Sequence, residues 1–378
     1  MDMDTDLLIV GGGPAGCAAA VMAASVGMRS VLIESGDALC GALRRIPAVR
    51  NVLGATNGPD LAAAIEADLG RCDPCRVELG RRATRIDAYD DHVEVTVQPI
   101  GPLGAVGCVG AVGSVGAVGS MGPVGSMEPE GSAQASGTRL TAPYVVVATG
   151  VGPLDPESVE WLRGAAGRAL PPLWEANPAA IDDRTVLVLG ADRPLGTMAL
   201  AHPELRTRFV VAYPPEDAYK TEEIRQDPRM ELVAVRRLEL GPVSAPVTAE
   251  VRTVEGERRT LTADLAFLNL GSAPAPPAGA VARDRSGYCP PGSQHPRVFT
   301  AGDLRSVRFQ RIATAMGSGG EAALGAYYAS RGLPTETGMS TETGLPTETG
   351  LPTETGLPTE TGGPPMEVGK PPDPTGGD

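Results

Sequence analysis

The sequence predicts an α/β fold, and three stretches predict it. Near the start, Asp6-Leu7-Leu8-Ile9-Val10 runs into Gly11-Gly12-Gly13-Pro14-Ala15-Gly16 and then into small residues. Thr185-Val186-Leu187-Val188-Leu189-Gly190 is a second apolar run entering a glycine turn. Arg297-Val298-Phe299-Thr300-Ala301-Gly302-Asp303 is a third, ending in Gly-Asp. A short apolar strand, a glycine turn and a helix make one α/β unit, and the pattern recurs along the chain.

The first stretch carries the chemistry. Gly11, Gly13 and Gly16 stand at the G-x-G-x-x-G positions, and each has its own reason. Gly11 permits the sharp turn, Gly13 lets the backbone approach a pyrophosphate, and Gly16 lets the helix sit close to the strand. Pro14 and Ala15 open that helix, whose N-terminus offers free N–H groups and partial positive charge to phosphates. A second apolar strand, Ser30 to Ile33, ends in Glu34, where a carboxylate accepts hydrogen bonds from a ribose. Turn, helix and acidic residue together read as a dinucleotide site rather than as chance glycines.

The chain has 378 residues, enough for two domains, and a net charge of −14. An acidic surface argues against nucleic acid and anionic membrane as partners. Met1-Asp2-Met3-Asp4 is acidic where a signal peptide is basic, and no run of about 18 apolar residues offers a membrane span. Six irregularly spaced cysteines suit reduced thiols in a cytoplasmic enzyme rather than a disulfide framework.

Two segments stand apart. Residues 101–137 form a glycine-valine array with repeats such as Gly110-Ala-Val-Gly-Ser-Val. Residues 332–378 repeat Leu-Pro-Thr-Glu-Thr-Gly with a period of six. Neither has enough bulky apolar residues to offset the entropy of ordering it, so both are expected to be disordered. A small β-structured insert is the alternative for the first, since valine favours strands. The tail is not a sortase signal, because one residue too many separates Pro from Thr.

Between them, Asp60 to Gly70 reads as a helix and Arg76 to Val97 as strands. Tyr144 to Gly150 reads as the strand on which the chain resumes, so the insert joins neighbouring strands at a surface turn. Further strands are expected at 208–213, 231–235, 247–253 and 265–270, as a second, smaller α/β unit. A small-residue helix from Gln310 to about Ser330 closes the chain.

Together these residues resemble the two-dinucleotide-fold flavoproteins, and within them the low-molecular-weight thioredoxin reductases. The resemblance covers residues 4 to 331 outside the insert. It rests on Gly11–Gly16 with Glu34, Ala148-Thr149-Gly150, Gly271 with Pro274, Gly302-Asp303, and Phe309-Gln310-Arg311-Ile312-Ala313-Thr314-Ala315. It implies two Rossmann-like dinucleotide-binding domains of three-layer ββα type. One is FAD-binding and discontinuous (1–155 and 273–331), and the other is NAD(P)-binding-like (156–272). It implies that Gly11, Gly13, Pro14, Ala15, Gly16 and Glu34 hold the adenosine and pyrophosphate of FAD, with Thr149 and Gly150 at the neighbouring strand end. Gly302 and Asp303 would serve the ribityl hydroxyls, Gln310, Arg311 and Ile312 the pyrimidine edge, and Leu43 and Asn51 the flavin ring. Leu53 stands where the family usually has proline.

The departures are specific. Aligned on Arg168 and Val186–Gly190, Leu173 and Ala176 occupy the positions of the family's redox Cys-x-x-Cys. An apolar pair cannot exchange thiol for disulfide. Asp192 replaces the middle glycine of the second turn, and its charge opposes a pyrophosphate. The helix after it is broken by Pro203. Tyr213-Pro214-Pro215-Glu216-Asp217 lacks the basic residues that hold a 2′-phosphate, which puts NAD(P)H in doubt. Cys72-Asp73-Pro74-Cys75 has redox spacing beside Arg71 and Arg76, but not the family position, and reads first as structural. No metal site is expected, since no further ligand set accompanies that pair. Cys17 reads as a small core residue, and His92, His202 and His295 form no cluster.

The reading is therefore an FAD-dependent oxidoreductase without the dithiol relay, acting on a small molecule or a small redox protein, with a homodimer left open. One alternative is an oxygen-dependent oxidase of dithiols or small molecules. Another is a non-catalytic flavin-binding sensor or partner protein.

Overall fold

The computed structural model describes residues 5–100, 137–165, 167–242 and 246–333. The expectations for 101–136 and 334–378 lie outside these residues. In chain order the elements begin with β1 (Leu7–Val10), α1 (Pro14–Ser25), β2 (Ser30–Ile33), α2 (Gly58–Leu69), β3 (Cys75–Glu78), β4 (Arg81–Ala88) and β5 (Val93–Pro99). Then come β6 (Thr138–Ala142), β7 (Tyr144–Val147), β8 (Val151–Pro153), β9 (Leu162–Arg163), α3 (Pro178–Ile181), β10 (Thr185–Leu189), α4 (Pro194–Ala201) and β11 (Arg208–Tyr213). The last are β12 (Met230–Leu240), β13 (Val247–Thr253), β14 (Arg258–Ala263), β15 (Leu265–Leu268), β16 (Ser272–Pro274), β17 (Ala278–Gly279), β18 (Val298–Thr300) and α5 (Ile312–Ser330).

Every residue of β1, β2 and β7 is buried. Their side chains alternate between two cores, as a pleated strand requires. Leu7, Ile9, Leu32 and Val146 pack with α1, α2 and α5. Leu8, Val10, Val31, Ile33, Val145 and Val147 pack with Ile86, Val93, Val95 and Val97. The parallel sheet runs β18-β7-β1-β2-β3, and a four-stranded sheet, β17-β4-β5-β6, covers its other face. Helices, parallel sheet and antiparallel sheet are the three layers the sequence predicts.

The insert leaves after β5, and the chain resumes one strand earlier than expected, at β6. Those two strands are antiparallel neighbours, with Val97 opposite Thr138. The insert thus joins adjacent strands.

The second sheet is ordered β14-β13-β12-β11-β10-β15. Strand β12 has two roles. Its first half pairs in parallel with β11 as far as Ala234, and from Val235 it pairs antiparallel with β13, with a bulge between Val235 and Arg237. Bulges bend and twist a strand, which lets one sheet supply both the parallel layer and its cover. The chain passes from the first sheet towards the second through β8 and returns through β16, and these two pair antiparallel.

Candidate functional site

The first glycine turn leaves the C-terminal end of β1. Gly11 has φ +106°, and a Cβ there would overlap the carbonyl of Ala148. A Cβ at Gly16 would overlap the Gly11 carbonyl, so only glycine lets α1 start so close to the strand. At Gly13 an added Cβ would meet nothing within 4 Å. The Gly13 position is open towards whatever approaches the turn.

Helix α1 begins with Pro14 at its first turn, where the missing N–H costs nothing, and no acidic residue lies in that turn. No side chain of that turn neutralises its positive end. Glu34 is fixed at the end of β2. Its carboxylate accepts from Gly12 N–H at 2.5 Å and from Gly36 N–H at 2.6 Å. A carboxylate has about four lone-pair positions, so acceptor capacity remains.

The neighbouring strand ends bring further groups to the same edge. Thr149 follows β7, and its hydroxyl is buried with no hydrogen-bond partner among the described residues. Asp303 follows β18, paired beside β7. Its carboxylate is half-buried, and burial pushes its pKa up, opposed by the charges of Arg193 and Arg311. Among the described residues none donates a hydrogen bond to it.

Gln310 lies just before α5, with Nε2 donating to the Ser306 carbonyl at 3.0 Å. Arg311 caps α5, and its backbone N–H donates to Thr314 Oγ1 at 3.2 Å. No acidic residue lies in the first turn of α5 either. Phe309, just before, has φ +61° and an exposed ring. A bulky residue in the left-handed region stores backbone strain, and such strain collects at working sites. Gly302 touches the first motif: a Cβ there would come within 2.9 Å of Ala15 Cβ.

Leu43 is buried in the same core as α1, whereas Asn51 is exposed on the loop before α2. Cys72 and Cys75 are not brought to this edge. Cys75 pairs with Ser30, level with Leu7 at the start of β1, and β3 is the last strand of the sheet. The glycine turn leaves from the other end, roughly 10 Å further along at 3.3 Å per residue. Burial pushes the Cys75 thiol up, which disfavours a reactive thiolate.

The second turn repeats the first and then diverges. Gly190 has φ +107°, its N–H donates to Ala212 O at 2.8 Å, and a Cβ would overlap the Asn269 carbonyl. Gly11 does the same with Ile33 and Ala148. Beyond that point, at the spacing of Gly16, Leu195 is wholly buried in the core. Helix α4 is eight residues long. Leu173 is fully buried in that core, and Ala176 packs against it.

Beside the second glycine turn lies a cleft of about 890 Å³. Asp303, Gln310 and Tyr288 line one side, and Asp192, Arg193 and Lys220 line the other. Arg193 ties the sides together by donating to the Gln310 carbonyl at 2.8 Å. Sequence reasoning gave no role to Arg193, although it stands within the second glycine turn, and missed Tyr288 and Lys220, which sit in no motif. It also missed that Cys17 and Cys40, both buried, have sulfurs 4.0 Å apart beside the first turn, with Cys17 Sγ donating to Gly12 O at 3.4 Å.

Among the described residues no group of three or more His, Cys, Asp or Glu could hold a metal. Among them, no helix is long and apolar enough to cross a membrane.

Residues 6–47, which hold the first turn, α1 and Glu34, match a family model described as FAD dependent oxidoreductase. No curated protein matches the chain significantly. The fold is that of solved thioredoxin reductases. The Lactococcus lactis enzyme in its FR conformation aligns over 87% of this chain and 100% of its own, at 18% identity and TM-score 0.66. The T. acidophilum thioredoxin reductase aligns over 86% and 99%, at 20% identity and TM-score 0.64. The bacillithiol disulfide reductase of Bacillus cereus aligns over 86% and 99%, at 18% identity and TM-score 0.61.

Proposed function

We propose that this chain is an FAD-dependent oxidoreductase of thioredoxin-reductase-like fold that works without an internal dithiol relay. The observation that carries it is the edge where the first turn ends. An open Gly13, a buried Thr149 hydroxyl without a partner and a half-buried Asp303 carboxylate without a donor lie together there. Buried polar groups are otherwise paired, so these fit a ligand rich in hydroxyl and phosphate groups. FAD has both.

In this reading Gly11 to Gly16 and the α1 N-terminus hold the pyrophosphate and Glu34 holds the adenosine ribose. Asp303 accepts from the ribityl hydroxyls. The α5 N-terminus, with Gln310, Arg311 and Ile312, supplies positive potential where negative charge gathers on reduction. When bound, the flavin supplies two-electron transfer. The protein orients the substrate in the cleft and excludes water from it. Leu173 and Ala176 offer no thiol, and Cys72 and Cys75 begin at the far end of the sheet, so a small substrate or redox protein meets the ring directly. The division into an FAD-binding part (1–155 and 273–331) and a second part (156–272) belongs to the same reading. The β8–β16 pair, where the chain crosses and returns, supports it.

The test is the visible spectrum of purified protein and of Gly13→Asp. Wild type should be yellow and release stoichiometric FAD on denaturation. The variant should fold, because its Cβ enters open space, yet be colourless, because a carboxylate faces the pyrophosphate. A fully yellow variant would remove the assignment.

A further inference from the structure

We propose that Lys220 occupies the second glycine turn in place of a dinucleotide pyrophosphate and shuts nicotinamide dinucleotides out of the cleft. Lys220 lies in the 3₁₀ helix Pro215–Thr221, after β11. Its ammonium is 2.9 Å from Asp217 Oδ1 and 3.8 Å from Asp192 Oδ1. Asp192 stands at the position of Gly13 in the first turn, and the difference between the turns is physical. Among the described residues the Gly13 N–H has no acceptor, whereas the Asp192 N–H donates to Asn269 O at 3.3 Å. A Cβ at Gly13 would enter open space. One built at Gly271, on the adjoining strand end, would come within 3.8 Å of Asp192 Cγ and 3.9 Å of Lys220 Nζ. The space that a phosphate needs is held by the protein's own ion pair.

The charge count points the same way. The turn already has two carboxylates for one ammonium, so a pyrophosphate would add like charge to a net negative pocket. The whole cleft is lined by five carboxylates (Glu160, Asp192, Glu216, Asp217, Asp303) against Arg193, Arg236 and Lys220. Of these bases, Arg193 is engaged with Gln310 and Arg236 with the Val254 carbonyl. Burial pulls the Lys220 pKa down, but Asp217 and Asp192 more than offset it, so the ammonium stays charged and held. Like charge placed against an unwanted ligand is a common route to specificity. The helix offers little to oppose it. Leu195 takes the place of the packing glycine, and a Cβ at Gly196 would meet Glu223 Oε2 at 3.5 Å. Asp192 is thus the repulsive element, Asp217 the closer tether, and Lys220 the plug.

The experiment uses the protein as purified, with its flavin content recorded separately so that loss of FAD is not mistaken for loss of dinucleotide binding. NADH and NADPH are titrated in by calorimetry. Wild type should show no saturable binding up to about 1 mM, a ceiling that corresponds to about 4 kcal/mol. Asp192→Gly removes the repulsive carboxylate and leaves Lys220 balanced by Asp217 alone, able to turn to a phosphate, and should bind either dinucleotide at least about tenfold more tightly than wild type. Adding Lys220→Ala should abolish that gain. Saturable NADH or NADPH binding by wild type in the micromolar range overturns the proposal, as does a folded Asp192→Gly with no gain. If that variant does not fold, amine labelling of wild type read by mass spectrometry decides. Lys220 should react at the same rate with and without millimolar NADPH, and protection by NADPH overturns the plug.

Discussion

In the proposed reading, Asp303 serves FAD binding and costs the flavin-free fold stability. Burial raises its pKa, and no protein donor offsets the desolvation. The folded value lies above the unfolded one. Its contribution to stability is therefore full below the unfolded pKa and is lost as pH rises through the folded pKa. At neutral pH the flavin-free protein bears the cost of an ionised, poorly solvated group. Asp303→Asn should raise the melting temperature of the flavin-free protein by about 2 °C and flatten its decline between pH 4 and 7. The same variant should bind FAD about tenfold more weakly, since a charged acceptor is replaced by a neutral one. Thermal scans and flavin titration read both effects. A variant that loses apo stability and keeps full affinity would show that Asp303 is only a turn residue. At this scale the sequence was informative where the constraint is local. Gly11, Gly13 and Gly16 each answer to a neighbour that the motif itself supplies. Lys220 was not legible, because Asp192, Asp217 and Lys220 meet only after β11 has been laid beside β10. The same holds for Cys17 and Cys40, which are brought together when the loop after β2 folds back over the first turn.

Among the elements, α4 depends most on one side chain. It is short, and its last carbonyls have no following turn. Arg229 supplies what the helix lacks, donating to the carbonyls of Ala199 at 2.9 Å and His202 at 2.7 Å, while Asp227 holds the guanidinium at 2.6 Å. Charge-assisted caps of this kind stabilise by about 1.5–3 kcal/mol. The hydrogen bond from Arg229 lowers the Asp227 pKa. That contribution is present above the ordinary carboxylate pKa and fades as pH falls through the lowered one. Arg229→Met should cost about 2 kcal/mol in urea unfolding at neutral pH, and the share owed to the Asp227 pair should disappear only below the lowered Asp227 pKa. A cost with no pH dependence at all in the acid range would show that Asp227 adds nothing to the cap. Strand ends and helix starts were readable from apolar runs bounded by glycine and proline. The two roles of β12 were not, because its change of neighbour at Val235 depends on the strands laid beside it.

At the scale of the molecule, the repetition of strand, glycine turn and helix was enough to foresee two parallel sheets. The three layers were legible only through the resemblance, and they show in the side chains of β1, β2 and β7, which alternate between two cores. The position of Cys72 and Cys75 could not be read from spacing, which suits redox chemistry. It is set by strand register, which places Cys75 level with the start of β1. The insert was foreseeable as a connection between neighbours because strand-forming residues flank it on both sides.

The order of strands in the first sheet also dictates an order in time. β1 lies in the middle, next to β7, and the sheet is finished by β18, while α5 packs on α1 so closely that a Cβ at Gly319 would overlap the Ala15 carbonyl. The glycine turn at the start of the chain therefore gains its final support only when the ribosome has made Ser330. The second sheet is complete at Leu268. Sheets closed by distant segments form late and leave early strands waiting. A nascent chain arrested with Asp284 just outside the ribosome should resist protease across 156–272 and be cut readily between 5 and 100. The released full chain should resist in both. Early resistance in the N-terminal stretch would show that the flavin-facing half assembles without its last strand and helix.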